Sequence, residues 1–141
     1  MDCPVCNAAM IVLELDEVEI DYCTSCQGIW LDAGELELLL EDAAKSREVL
    51  QSFIPTDTNE APRKCPICLK KMEKVLVGTE GDKQELIDRC KKEHGLWFDA
   101  GELKNVLKMG HFDDEGKVPQ LLSELFGTEQ NTKKNSNTNN N

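Results

Sequence analysis

Three observations predict a small metal-stabilised α+β fold: two tandem ribbons, each a β-hairpin with metal-binding knuckles followed by an α-helix. The stretch Cys23-Thr-Ser-Cys-Gln-Gly-Ile-Trp-Leu-Asp-Ala-Gly-Glu-Leu36 returns 67 residues later as Cys90-Lys-Lys-Glu-His-Gly-Leu-Trp-Phe-Asp-Ala-Gly-Glu-Leu103, with eight of fourteen positions identical. A Cys-Pro-x-Cys knuckle precedes each copy, Cys3-Pro4-Val5-Cys6 and Cys65-Pro66-Ile67-Cys68, so a whole unit repeats. Seven cysteines serve a chain of 141 residues with 5% aromatic content. A unit of about fifty residues is too small for an apolar core to hold alone, so something else must staple it.

Metal is the better staple. An odd number of cysteines argues against a disulfide framework, and the first stands at position 3 with no apolar leader before it, which reads as a cytoplasmic, reducing setting. No apolar run approaches the length of a membrane span, so no membrane role is expected. The net charge is -11, unevenly placed: residues 1–60 hold 14 acidic and 2 basic side chains, residues 61–110 hold 8 and 11. A global field of this sign opposes phosphate binding, and only the second unit is locally basic.

In order along the chain, Cys3 and Cys6 form the first ligand pair on a tight turn that Pro4 helps to set. Residues 10–15 and 18–22, rich in aliphatic and β-branched side chains, predict two strands around a turn at Asp16 and Glu17. The hairpin returns the chain to Cys23 and Cys26, completing C-x2-C-x16-C-x2-C, the spacing of a structural zinc site; iron is the alternative metal for four cysteines. Gly28 permits a turn, and Ile29 and Trp30 cover the site and begin the core. Asp32 reads as a helix N-cap with Glu35 reaching back to it. Leu36, Leu39, Leu40, Ala43, Arg47 and Leu50 then fall at helical spacing to about Gln51, with an acidic, solvated outer face.

The first unit thus spans residues 1–51, and the polar, proline-bearing residues 52–63 read as a linker. The second unit, residues 64–110, has Cys65, Cys68 and Cys90, strands near 72–77 and 83–89, and a tip at Gly78-Thr-Glu-Gly-Asp82. Asp99 and Glu102 repeat the cap, ahead of Leu103, Val106 and Leu107. The fourth ligand departs from the pattern: Glu93 aligns with Cys26, and His94 follows it. His94 is favoured, because imidazole commonly completes a closed thiolate zinc site and carboxylate does not. His111 has no such company. Residues 111–127 predict a short amphipathic helix carrying Leu121, Leu122, Leu125 and Phe126, able to pack on a unit or on a partner, and residues 128–141 an Asn-rich disordered tail.

CPVC and CPIC, with CTSCQGIWLDAGEL and CKKEHGLWFDAGEL, resemble the transcription factor IIB-type zinc-ribbon family over about 90 residues in two copies. The resemblance implies zinc ligands Cys3, Cys6, Cys23 and Cys26 in the first copy and Cys65, Cys68, Cys90 and His94 in the second. The family name implies transcription or nucleic-acid binding.

The residues predict a non-catalytic protein with two structural Zn2+ ions whose ribbons serve a protein partner. Four protein ligands per site leave no open position for substrate or water. Nucleic-acid or transcription-complex binding is the alternative, through Lys64, Lys70, Lys71, Lys74, Arg89, Lys91 and Lys92 of the second unit, disfavoured by the net charge. Thiol redox catalysis is a third class, opposed by the matched ligand spacing and the lack of a βαβ pattern.

Overall fold

A computed structural model of the chain describes residues 1–40, 43–78 and 84–109. The expected helix at 111–127, the tail at 128–141, His111 and the hairpin tip beyond Gly78 lie outside the described residues.

The first hairpin forms where its β-branched stretches predict it, as β1 (Ile11–Leu15) and β2 (Val18–Tyr22), paired antiparallel from Ile11 opposite Tyr22 to Leu15 opposite Val18. Asp16 and Glu17 both take positive φ, 48° and 69°, the two-residue turn whose twist matches the strands it joins. A third strand, β3 (Ile29–Asp32), lies against β2 where only a core-covering segment was expected. Two short helices follow, α1 (Glu35–Leu39) and α2 (Ala43–Gln51). The second unit repeats the order as β5 (Glu73–Val77), β6 (Glu85–Arg89), β7 (Gly95–Phe98) and α3 (Glu102–Met109). Between the units, β4 (Ile54–Pro55) adds to the outside of β5.

All seven strands join one antiparallel sheet in the order β1-β2-β3-β7-β6-β5-β4. The units meet at β3 and β7, where Ile29 faces Phe98, Trp30 faces Trp97 and Leu31 faces Leu96. Trp30 and Trp97 are the same position of the repeated word, so an approximate two-fold axis passes between them. Alternation along these strands sorts their side chains. Ile29, Leu31 and Phe98 join the larger core with Leu36, Leu39, Leu103, Val106 and Leu107 of the helices, while both tryptophans face the cysteines on the other side.

Three expectations are corrected here. The helix drawn from Asp32 to Gln51 is broken: Leu40 turns extended, at φ -81° and ψ 121°, still donating its N–H to the Leu36 carbonyl. Beyond the break α2 lies against α3, and Val49, off the predicted stripe, is buried. The Asp caps form by half. Glu35 and Glu102 accept the backbone N–H of Asp32 and Asp99 at 2.7 and 2.8 Å, but the Asp side chains accept the indole N–H of Trp30 and Trp97, and Gly34, at φ 91°, stands at the N-cap. Residues 52–63 are more than a linker, since two of them form β4; proline is tolerated there because it sits on an edge.

Candidate metal centres

Three of the four knuckles share one backbone design. The amide of the first cysteine donates to a carbonyl five residues on: Cys3 to Ala8, Cys23 to Gly28 and Cys65 to Lys70, at 2.8 to 3.0 Å. Its carbonyl accepts the amide four residues on, from Asn7, Gln27 and Leu69, each in the left-handed region at φ 63° to 66°. That turn brings amides to bear on sulfur, Val5 on Cys3 at 3.3 Å, Cys26 on Cys23 at 3.5 Å and Ile67 on Cys65 at 3.4 Å, an arrangement that favours thiolate.

The fourth knuckle is tighter by one residue. Cys90 accepts the amide of Glu93, three residues on, and the left-handed residue is Glu93 itself, at φ 63°. The chain therefore turns earlier, and His94, whose ring reaches further than a cysteine sulfur, points back. Its Nδ1 lies 3.5 Å from Cys90 Sγ and 3.9 Å from Cys65 Sγ. Glu93 does not join the group.

The eight side chains gather in two groups, Cys3, Cys6, Cys23 and Cys26, and Cys65, Cys68, Cys90 and His94, with the donor atoms of each within 4.8 Å of one another. Sulfur separations are 3.4 Å for Cys3 with Cys26 and for Cys6 with Cys23, and 3.7 Å for Cys68 with Cys90. A disulfide needs about 2 Å. A tetrahedron with Zn–S bonds of about 2.3 Å has edges of about 3.8 Å, so the groups fit such an ion. Among the described residues all seven cysteines are free thiols.

Proton affinity is split inside each group. Burial pushes the Cys3 thiol up to about 12 and the Cys65 thiol up to about 11. Burial also acts on Cys23, but the Cys26 amide and the Cys6 thiol outweigh it and bring Cys23 down to about 7. The Lys70 amide, with His94 and the neighbouring thiols, brings Cys68 to about 7. Within each group, then, burial disfavours one thiolate while backbone amides favour another.

The comparisons with known proteins bear on the first unit. Residues 2–42 match the family described as transcription factor zinc-finger. No curated protein and no solved structure matches the chain. Over those residues the first unit is similar to a zinc ribbon, and the chain has two potential metal-binding groups.

Sequence reasoning missed what surrounds the centres. Gly28 and Gly95 are required by close approach: a Cβ on Gly28 would stand 2.1 Å from the Trp97 ring, and one on Gly95 would stand 2.2 Å from the Leu31 carbonyl oxygen and 2.6 Å from the Trp30 ring. Their identity in both copies was the available signal. Also missed was a buried ion pair across β5 and β6, where Lys74 Nζ meets Asp88 Oδ1 at 2.6 Å, with Arg63 bridging Asp88 and Asp99. Lys74 and Arg89, two of the seven bases singled out above, are engaged within the chain, the latter with Glu73 at 2.9 Å.

Proposed function

We propose that this is a non-catalytic protein with two structural zinc ions, held by Cys3, Cys6, Cys23 and Cys26 and by Cys65, Cys68, Cys90 and His94, that presents its paired ribbons to a protein partner in the cytoplasm. The second ribbon, on this reading, is another copy of the domain matched by the first. The observation that carries the reading is the donor count: each group offers four protein ligands, so zinc bound there would have no position left for substrate. Zinc would supply cohesion that small cores lack, on the order of 10 to 16 kcal/mol per site. The partner is a protein rather than nucleic acid because the first unit is strongly acidic and Lys74 and Arg89 are paired internally. No helix among the described residues is long and apolar enough to cross a membrane.

The test is metal analysis of protein purified without added metal, followed by chelation. Two zinc ions per chain, and loss of the near-ultraviolet signal of Trp30 and Trp97 on stripping, are expected. A stripped chain that keeps that signal and its protease resistance refutes the structural role. Visible absorption from the first site would assign iron there instead. Retention on nucleic acid at low salt, weakening steeply as salt rises, would favour the alternative partner.

A further inference from the structure

The two hairpins end differently at the sheet's edges. On the second, β4 lies antiparallel outside β5, with Ile54 opposite Leu76 and Pro55 opposite Val75, and the Thr56 N–H donates to the Lys74 carbonyl at 2.9 Å. Its counterpart β1 is the outermost strand, and among the described residues no strand pairs with its outer edge. Counted from Cys3 and Cys65, Val12, Leu13 and Glu14 stand where Lys74, Val75 and Leu76 stand. With Leu15 and Val18 closing the two-residue turn, the N–H and C=O groups of Val12 and Glu14 point away from β2, as those that meet β4 do on β5. Exposure differs at the matched position: Lys74 is 9% exposed beside the covering segment, whereas Val12 is 61% exposed.

Charge selects the occupant. On the second hairpin the covering segment is acidic, and its Glu60 Oε1 lies 3.4 Å from Nζ of Lys74 on the strand it covers. The first hairpin carries acids and no base in its two strands. Val12 lies opposite Asp21 and Glu14 opposite Glu19, and Asp21 lies opposite Trp30, next but one to Asp32. Among the described residues no lysine or arginine pairs with these four carboxylates. A second copy would bring the same acids edge to edge, a repulsive pairing.

We propose that the outer edge of β1 takes up an extended segment of a partner protein, an apolar stretch flanked by lysine or arginine, as an added antiparallel strand over Val12, Leu13 and Glu14. The proposal rests on the protein-interaction reading above and names its surface. A probe exists in the chain itself: the peptide of residues 52–60, made once unaltered and once with Asp57→Lys and Glu60→Lys. Each is titrated into the full chain after its zinc content and circular dichroism have been recorded, and amide shifts are followed by NMR.

The lysine peptide should shift the amides of Val12 and Glu14, bind at least about tenfold more tightly than the unaltered one, and weaken as salt rises past about 0.1 M. Val12→Lys, at an exposed position, should keep full zinc and fold while weakening the lysine peptide at least about tenfold. Silence of the lysine peptide, equal binding to the Val12→Lys variant, or shifts confined elsewhere would overturn the proposal. So would a concentration-dependent dimer abolished by Val12→Lys, which would give the edge to a second copy. A folded chain without metal would overturn the zinc reading instead, leaving the peptide result to decide the edge by itself.

Discussion

Substituting Gly28 by alanine tests the junction between the units most directly. The added Cβ would stand 2.1 Å from Cζ2 and 2.4 Å from Cη2 of Trp97, where ordinary contact begins at 3.4 Å, so one side must retreat by about 1.3 Å. Neither is free to do so. Trp97 is fully buried, its indole N–H is held by Asp99 at 3.0 Å, and Gly28 accepts the Cys23 amide at 3.0 Å. Overpacking of this kind costs about 1 to 3 kcal/mol, and two restrained partners place it near the upper end. Denaturant unfolding followed by far-ultraviolet circular dichroism, at fixed excess zinc, measures it. Trp97→Phe removes the atoms that clash, so the double variant should be less destabilised than the sum of the singles by about 1 to 2 kcal/mol. At Gly95 the obstacle includes the Leu31 backbone, so Trp30→Phe should not rescue Gly95→Ala. A wild-type midpoint for Gly28→Ala, or additivity within about 0.5 kcal/mol in the cycle, would refute the packing of one unit's tryptophan against the other's glycine.

Three further outcomes follow from the same geometry. His94→Ala should cost one of two zinc ions by native mass spectrometry while Glu93→Ala costs none; the reverse result would exchange their roles. Asp88→Ala should destabilise by about 3 kcal/mol, because it leaves the buried Lys74 ammonium with only the exposed Glu60, whereas Lys74→Met combined with Asp88→Leu, which leaves Arg63 its Asp99 partner, should cost less by denaturant unfolding. Burial raises the Glu102 carboxyl from 4.5 to about 7, so between those values the folded chain holds a proton that the unfolded chain has lost. That contribution is favourable at the acid end and fades as pH rises through about 7. Glu102→Gln should therefore gain on the wild type, in denaturant midpoint at fixed zinc, as pH increases from about 5 to about 8; parallel curves would refute it.

Local chemistry made the hairpins and knuckles legible. Cysteine spacing, β-branched runs and a two-residue acidic turn are all written within twenty or so residues of one another, and the structure brings together the side chains they single out. His94 was legible by subtraction, as a metal-binding side chain beside a missing cysteine. The pairing of β3 with β7 was not, because Ile29–Asp32 finds its partners 63 to 69 residues away and four residues carry no period of their own. Gly28 read as a turn residue for the same reason: what forbids a side chain there belongs to the other unit. β4 was hidden by Pro55, a breaker in most contexts and acceptable on an edge. The break at Leu40 has no marker in the sequence, since neither glycine nor proline is near it.

The repeated word also explains how two units of this size hold together. Gly28 closes the Cys23 knuckle through its carbonyl and carries the Trp97 ring on its bare face. Trp97 is tied to Asp99, whose amide is held by Glu102 at the start of α3. The mirror path runs from Cys90 through Gly95, Trp30, Asp32 and Glu35 to α1, and the Ala33 amide donates to the His94 carbonyl at 3.0 Å. Each knuckle therefore braces the helix of the other unit. A zinc ion contributes on the order of 10 kcal/mol or more, as much as the whole net stability of an ordinary domain, about 5 to 15 kcal/mol. With the paths crossed, zinc lost from one site would loosen the helix of the other unit and the β3–β7 seam without emptying the other site. The contacts between Gly28 and Trp97, and between Gly95 and Trp30, thus couple the two units across the seam.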